Sequence, residues 1–278
     1  MVETYSEAVR VARDYYNSDD ADHFYATIWG GEDIHIGLYH TPDELIRDAS
    51  HRTVQYMASL LDVKPKPEAL DIGSGYGGAA RYLASSLGCS VTALNLSEKE
   101  NERARMLTEQ RGLSDRIEVI DGSFEEIPAA ADRFDIVWSQ DAILHSGQRE
   151  KVLREVVRVL KPGGYFVFTD PMQADDCPGD VLQPILDRIH LDSLASPRFY
   201  RAILTRLGLR EVRFEERTDM LTRHYGSVLQ ETEKYQTALT RHVSTEYVER
   251  MKQGLRHWVD GGDRGYLVWG IFLFQKPT

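Results

Sequence analysis

A doubly wound α/β sheet is the fold the sequence predicts, and three observations predict it. Short apolar stretches alternate with amphipathic stretches at helical spacing, the order of a parallel sheet with crossover helices. The first apolar stretch, Ala69 to Ile72, runs into the glycine-dense turn Gly73-Ser74-Gly75-Tyr76-Gly77-Gly78 and then into a helix-forming run from Ala79. Each later apolar stretch of this series also ends in polar residues: Asn95, Ser123-Phe124, Ser139 to Asp141, and Asp170 to Met172. Ligands of such sheets sit beyond the carboxyl ends of the strands, so these five ends predict one crevice.

The elements follow in order. Residues 3–16 and 20–29 predict two short helices, broken and capped by Asn17-Ser18-Asp19-Asp20. Tyr15, Tyr16, Phe24, Tyr25 and Trp29 crowd this opening, either docking the helices on the core or covering a pocket. Residues 30–39 form a loop with His35 and Tyr39. Thr41-Pro42-Asp43-Glu44 has the cap, proline and glutamate of a helix start, for a helix running to about Leu61. Ser90 to Asn95 is the second strand; Ser97 with Glu100 is a capping box opening a charged helix to Arg111. Arg116 to Ile120 and Arg133 to Ser139 are the third and fourth strands. Val152, Leu153, Val156, Val159 and Leu160 mark an amphipathic helix over 148–160. Lys161-Pro162-Gly163-Gly164 turns the chain into a fifth strand, Tyr165 to Thr169. Residues 171–195 read as an insertion over the crevice, followed by a helix capped at Ser196-Pro197 and a strand from Leu209 to Glu216. Helices at 226–241 and 244–260 and a strand from Val268 to Phe274 complete a seven-stranded, mostly parallel sheet.

Composition narrows the function classes. Hydrophobic residues are 42% and charged residues 28%, enough for a proper core. A formal charge of −11 repels phosphate backbones, so nucleic acid is not an expected partner. The two cysteines, Cys89 and Cys177, form no C-x-x-C pair, so neither a metal site nor a disulfide framework is expected. Met1 to Tyr5 lacks the pattern of a secretory leader, and the longest apolar run, Gly265 to Phe274, is too short to span a bilayer. These features predict a soluble, reduced, cytoplasmic protein with no membrane partner, a monomer or a small homo-oligomer.

The glycine spacing Gly73-x-Gly75-x-Gly77 is one residue tighter than the dinucleotide fingerprint. Glycines allow positive φ and close approach of a ligand, and the helix behind offers free N–H groups. Asn95 either caps the next helix or offers its amide to a pair of hydroxyls. Leu70 to Gly78, Asn95-Leu96-Ser97 and Lys161 to Gly164 together resemble class I methyltransferases that use S-adenosylmethionine. Longer stretches sharpen this: Tyr15 to Ser18, Ile28 to Tyr39, Trp138 to Asp141 with Leu144-His145-Ser146, Thr169 to Pro178, His257 to Val259 and Gly265 to Leu267. These resemble the sarcosine/dimethylglycine N-methyltransferases, which make glycine betaine, an osmolyte. The resemblance covers nearly the whole chain. It implies a Rossmann-like domain over 1–278 with a helical cap at 1–62, a cofactor core at 63–170 and substrate-covering insertions with the last strands at 171–278.

The resemblance also implies roles. Gly73 and its neighbouring loop backbone hold the methionine moiety of S-adenosyl-L-methionine, and Asn95 takes the ribose hydroxyls. Ser123 and Phe124 frame the adenine, and Gln140 reaches the methionine carboxylate. Asp71, Gly75, Leu96 and Gly37 are counted with the cofactor contacts. The family's usual acids at the ribose and adenine positions are Asn95 and Ser123 here. The acceptor would be a small amino acid, sarcosine or dimethylglycine. Its amine must lose a proton before it attacks, and His145 suits that task by residue type. Asp141, four residues earlier, either holds the ammonium or orients His145, and Tyr16 or Tyr25 supplies a hydroxyl. Alternatively, His145 caps the following helix. Tyr25, Trp29, Tyr39, Trp258 and Tyr266 are candidate faces for a quaternary ammonium. Arg188, Arg223, His224 and Arg264 are candidates for the substrate carboxylate. The rival functions are a phosphoethanolamine or other small-amine N-methyltransferase, a lipid-modifying relative such as a cyclopropane synthase, and a non-catalytic module that only binds the cofactor.

Overall fold

The computed structural model describes residues 7–278. The first four residues of the expected opening helix, and the Met1 to Tyr5 stretch, lie outside the described residues. Helices α1 (Glu7–Tyr16) and α2 (Asp19–Ile28) come first. Ser18 caps α2, its Oγ accepting from the Ala21 amide at 3.2 Å, and Asp19, Asp20 and Asp22 complement the helix dipole. Helix α3 covers Ile46–Ser59, so it starts four residues later than a cap at Thr41 predicts. The reason is Glu44. Its carboxylate accepts from the His40 amide at 2.8 Å and pairs forward with Arg52, which closes a turn and leaves no capping box.

The sheet then begins: β1 (Glu68–Ile72), α4 (Gly78–Ser86), β2 (Ser90–Asn95), α5 (Glu98–Gln110), β3 (Ile117–Asp121), β4 (Phe134–Gln140), α6 (Arg149–Val159) and β5 (Leu160–Gln173). Beyond it lie α7 (Gln183–Ile189), α8 (Pro197–Arg206), β6 (Arg210–Glu216), α9 (Thr218–Lys234), α10 (Gln236–Leu239), α11 (Thr245–Asp263) and β7 (Leu267–Gln275). The strand order is β3-β2-β1-β4-β5-β7-β6, with only β7 antiparallel to its neighbours.

Two departures from the sequence reading have one cause, the β5–β7 ladder. β7 pairs with β5 from Tyr165↔Gln275 to Gln173↔Leu267, so the strand runs on past Thr169, and Pro171, Met172 and Gln173 belong to it and not to an insertion. Lys161 to Gly164 lies within β5 as a bulge: the Gly163 amide, at φ +80°, donates to the Lys276 carbonyl at 2.8 Å. Helix α9 starts eight residues before the expected 226. Its buried face is Leu221, His224, Val228 and Thr232, and the histidine and threonine broke the apolar pattern.

Alternation along the strands separates two cores. Ala69, Val91, Ile136, Trp138, Val167 and Ile271 face α3 and α4. Leu70, Leu94, Val137, Phe166, Phe168 and Phe272 face α6 and α8. A third cluster, with Phe24, Trp29, Val228, Tyr247 and Met251, joins α2 to α9 and α11. Among the described residues no helix is long and apolar enough to cross a membrane.

Candidate active site

A cavity of about 810 Å³ opens at the carboxyl ends of β1, β2 and β4. The glycine turn forms its floor. Gly73 and Gly75 hold φ of +73° and +51°, a conformation glycine adopts freely. A Cβ on Gly73 would stand 2.4 Å from that of Ala142, so the turn is pressed against the end of β4. Asp71 lies below, buried, with Oδ2 unpartnered; burial, and then the charge of Asp33, push its carboxyl up to about 7. Ser74 Oγ is also buried without a partner.

Twelve of the thirteen residues the sequence singles out line this cavity: Tyr16, Tyr25, Asp71, Gly73, Gly75, Asn95, Leu96, Ser123, Phe124, Gln140, Asp141 and His145. Gly37 does not. It packs against α3, where a Cβ would stand 2.6 Å from that of Ala49, and its amide donates to His224 Nδ1 at 3.2 Å. Ser139 and Asp170 also stand behind the wall. Ser139 donates to the Ile72 carbonyl, and Asp170 accepts from the Leu144 amide and the Tyr200 hydroxyl.

Each polar group of the wall is held by its own neighbours. Trp138 Nε1 donates to Gln140 Oε1 at 2.9 Å, which turns the free Nε2 away from the indole. Asn95 Nδ2 donates to Glu100 Oε2 at 2.9 Å, so the Glu100 carboxylate leaves the expected capping box half-formed. Burial pushes Glu100 up to about 7. Asp141, at φ +49°, accepts from the Ile36 amide (2.7 Å), Thr169 Oγ1 (2.8 Å) and Trp269 Nε1 (2.8 Å). It ties β4 to the 30–39 loop, β5 and β7, and it makes no hydrogen bond to His145. One of its roughly four acceptor positions stays open.

His145 ends a single 3₁₀ turn, Ile143–His145, and its Nε2 lies 2.9 Å from the Tyr16 hydroxyl. It does not cap α6, where Gln148 holds the cap position. Burial, then Arg149 and Arg188, hold the imidazole down at about 4, so it is neutral at neutral pH. Burial keeps the Tyr16 hydroxyl protonated. Of the candidate aromatic faces, Tyr25, Trp29 and Trp258 line the cavity, while Tyr39 and Tyr266 do not. Tyr15, one of the aromatics crowding the opening segment, joins them, as does Tyr225, for which nothing in the sequence beyond residue type is a signal. Of the four candidate carboxylate partners, Arg188 and His224 line it. Arg223 lies over the Tyr39 ring and Arg264 pairs with Asp260 at the surface. His224 carries no charge, held down at about 3 by burial.

The comparisons with known proteins fit this geometry. Residues 70–168 match the family described as "Methyltransferase domain". The sarcosine/dimethylglycine N-methyltransferase of Halorhodospira halochloris is 58% identical over 271 residues, covering 97% of both chains. That of Aphanothece halophytica is 53% identical over 276 residues, 99% of this chain and 100% of its own. The chain belongs to the sarcosine/dimethylglycine N-methyltransferase family. A Galdieria sulphuraria crystal structure of 44% identity superimposes with a TM-score of 0.90 over 95% of this chain and 99% of its own.

As a member of that family the chain is an enzyme that transfers methyl groups, and the cofactor expected of it is S-adenosyl-L-methionine. The residues present fit that cofactor. An orphaned acceptor at Asp71 Oδ2 and a donor at Gln140 Nε2 suit an ammonium and a carboxylate, the two charged groups of its methionine moiety. The Asn95–Glu100 pair offers acceptors to hydroxyls at the end of β2. Sequence reasoning missed Glu100 as part of the wall because a glutamate in the first turn of a charged helix reads as a cap.

Proposed function

We propose that this enzyme methylates the amine nitrogen of sarcosine and dimethylglycine, giving glycine betaine. The observation that carries this is the Tyr16–His145 pair, 2.9 Å apart, in a cavity walled by Tyr15, Tyr25, Trp29, Tyr225 and Trp258. A relative 58% identical over almost the full chain bears the name of that activity. Asp71, Gly73, Gly75 and Gln140 would hold the methionine end of the cofactor. Asn95, Leu96 and Glu100 would take the ribose, and Ser123 and Phe124 the adenine. The cofactor supplies an activated methyl on a sulfonium, so the chain's task is to place a neutral amine in line with it. The amine gives its proton to the Tyr16–His145 pair, with His145 Nε2 as the neutral acceptor. Asp141 keeps one acceptor position for the ammonium before that proton leaves. Aromatic faces then suit the quaternary product, which has no N–H to donate, at about 0.5–2 kcal/mol each.

Helices α1 and α2, with α7, α9 and α11, act in this proposal as the substrate cap over a core built from residues 63–170. The reaction is placed in the cytoplasm, in keeping with two free cysteines. Phosphoethanolamine is the second candidate substrate. Its phosphate calls for a cluster of cations, and the cavity offers Arg188 and the exposed, ring-stacked Arg250. The test is methyl transfer to glycine, sarcosine, dimethylglycine, phosphoethanolamine and a lipid, with products resolved by mass. Betaine from sarcosine or dimethylglycine is expected. Turnover of phosphoethanolamine alone moves the enzyme to the phosphobases, and cofactor binding without any turnover makes it a sensor.

A pH dependence follows from Asp71. Its carboxyl, at about 7, is mostly protonated at pH 6 and mostly ionised at pH 8. The cofactor is cationic at its ammonium and sulfonium, so binding favours the ionised acid. Cofactor affinity should rise by about tenfold from pH 6 to pH 8. Titration calorimetry reads this, and Asp71→Asn should flatten the rise.

A further inference from the structure

Among the described residues, the half-buried cation of the cavity that lacks a counter-charge is Arg188, near the end of α7. Its Nη2 donates to the thioether of Met251 at 2.8 Å, a weak acceptor for one of five N–H groups. Among the described residues no carboxylate pairs with it. The groups that act on its charge are the hydroxyls of Tyr15, Tyr25, Tyr225 and Tyr247. The remaining cavity cations are committed elsewhere: Arg13 pairs with Glu98, and Arg250 is exposed beside the Tyr247 ring. A guanidinium drawn partly out of water without an anion is destabilised, so a fold that keeps one facing a cavity holds a place for an anion. The fold also makes room for it. A Cβ on Gly254 of α11 would stand 2.4 Å from Arg188 Nη1 and 2.7 Å from its Cδ. Gly254 is thus the gap through which the arginine reaches the cavity.

We propose that Arg188, admitted by Gly254, is the anchor for the carboxylate of the amino-acid substrate. This rests on the functional assignment above. Arg188 and His145 line the same cavity. A carboxylate on Arg188 therefore keeps the amine of a short α-amino acid in the chamber that holds the Tyr16–His145 pair. It also offsets one of the positive charges that hold His145 down, so the anchored substrate makes its own proton acceptor more basic. A single guanidinium matches a single carboxylate.

The experiment compares the unchanged enzyme with Arg188→Met and Gly254→Ala. Alanine favours a helix over glycine, so the second variant keeps α11 while displacing the guanidinium. Three readouts are taken: kcat/KM for dimethylglycine, kcat/KM for its neutral amide, and calorimetric binding of dimethylglycine and of S-adenosylmethionine separately. Arg188→Met should lower kcat/KM for dimethylglycine by about 100-fold, the loss typical of a broken charge-assisted pair. It should leave the amide within a few-fold and cofactor affinity unchanged. Gly254→Ala should move the same readouts in the same direction, which covers a failure of Arg188→Met to fold. An unchanged preference for dimethylglycine over its amide overturns the anchor. So does an equal loss of cofactor affinity, which would assign Arg188 to the cofactor's own carboxylate. No turnover of dimethylglycine by the unchanged enzyme overturns the functional assignment itself, and the anchor with it.

Discussion

Replacing His145 with alanine should lower turnover by about 10²- to 10⁴-fold, the usual contribution of a positioned acid or base. Cofactor affinity should stay close to that of the unchanged enzyme. The side chain stands on a 3₁₀ turn after β4, and its one hydrogen bond runs to Tyr16, not to the glycine turn. Its removal therefore leaves the glycine turn intact. Tyr16→Phe should act in the same direction with a smaller effect, because the neutral imidazole remains. The two losses should not add, since both groups act as one pair. Raising the pH should restore part of the activity of His145→Ala, because more of the free amine then arrives without its proton. Steady-state kinetics across pH 7 to 10 with dimethylglycine measures this. Turnover equal to the unchanged enzyme would remove the pair from the reaction.

Replacing Gly73 with alanine should cost the fold about 2–4 kcal/mol and abolish measurable cofactor binding. Two penalties combine. The residue holds φ +73°, where a side chain clashes with its own backbone, and its Cβ would stand 2.4 Å from the Cβ of Ala142. Ala142 follows Asp141, which fastens β4 to the 30–39 loop and to β7. Relief of the clash therefore means parting the glycine turn from the strand end that carries Gln140. A fall in melting temperature of roughly 5–10 °C should accompany the lost binding. Thermal unfolding with and without S-adenosylmethionine reads both. A variant that is still stabilised by the cofactor would show that the turn tolerates a side chain.

The parts of this molecule written in a local pattern were legible from the chain. Apolar runs ending in Gly73, Asn95 and Gln140 specify strands whose ends meet, and those ends line the cavity. What depends on distant partners was not legible. Glu44 looks like a capping residue until Arg52 draws it away. Asp170 to Met172 look like the start of a loop until β7 returns antiparallel beside them. Gly37 reads as a cofactor contact, yet what requires glycine there is the close approach of α3 at Ala49. Arg188 is one of four equal candidates in the sequence because its distinction is negative: among the described residues no carboxylate meets it, and only the packing of α7 on α11 reveals that. Asp141, four residues before His145, reads as a group that could orient it, but the left-handed backbone at Asp141 accompanies a carboxylate held by Ile36, Thr169 and Trp269.

The most direct test follows the methyl group itself. The enzyme is given S-adenosylmethionine carrying a deuterated methyl, together with unlabelled dimethylglycine, and the products are resolved by mass. One labelled methyl in glycine betaine, formed in step with S-adenosylhomocysteine, is the expected result. Binding of the labelled cofactor with no label in betaine, over a time in which another amine accepts it, would contradict the assignment of this cavity to an amino-acid nitrogen.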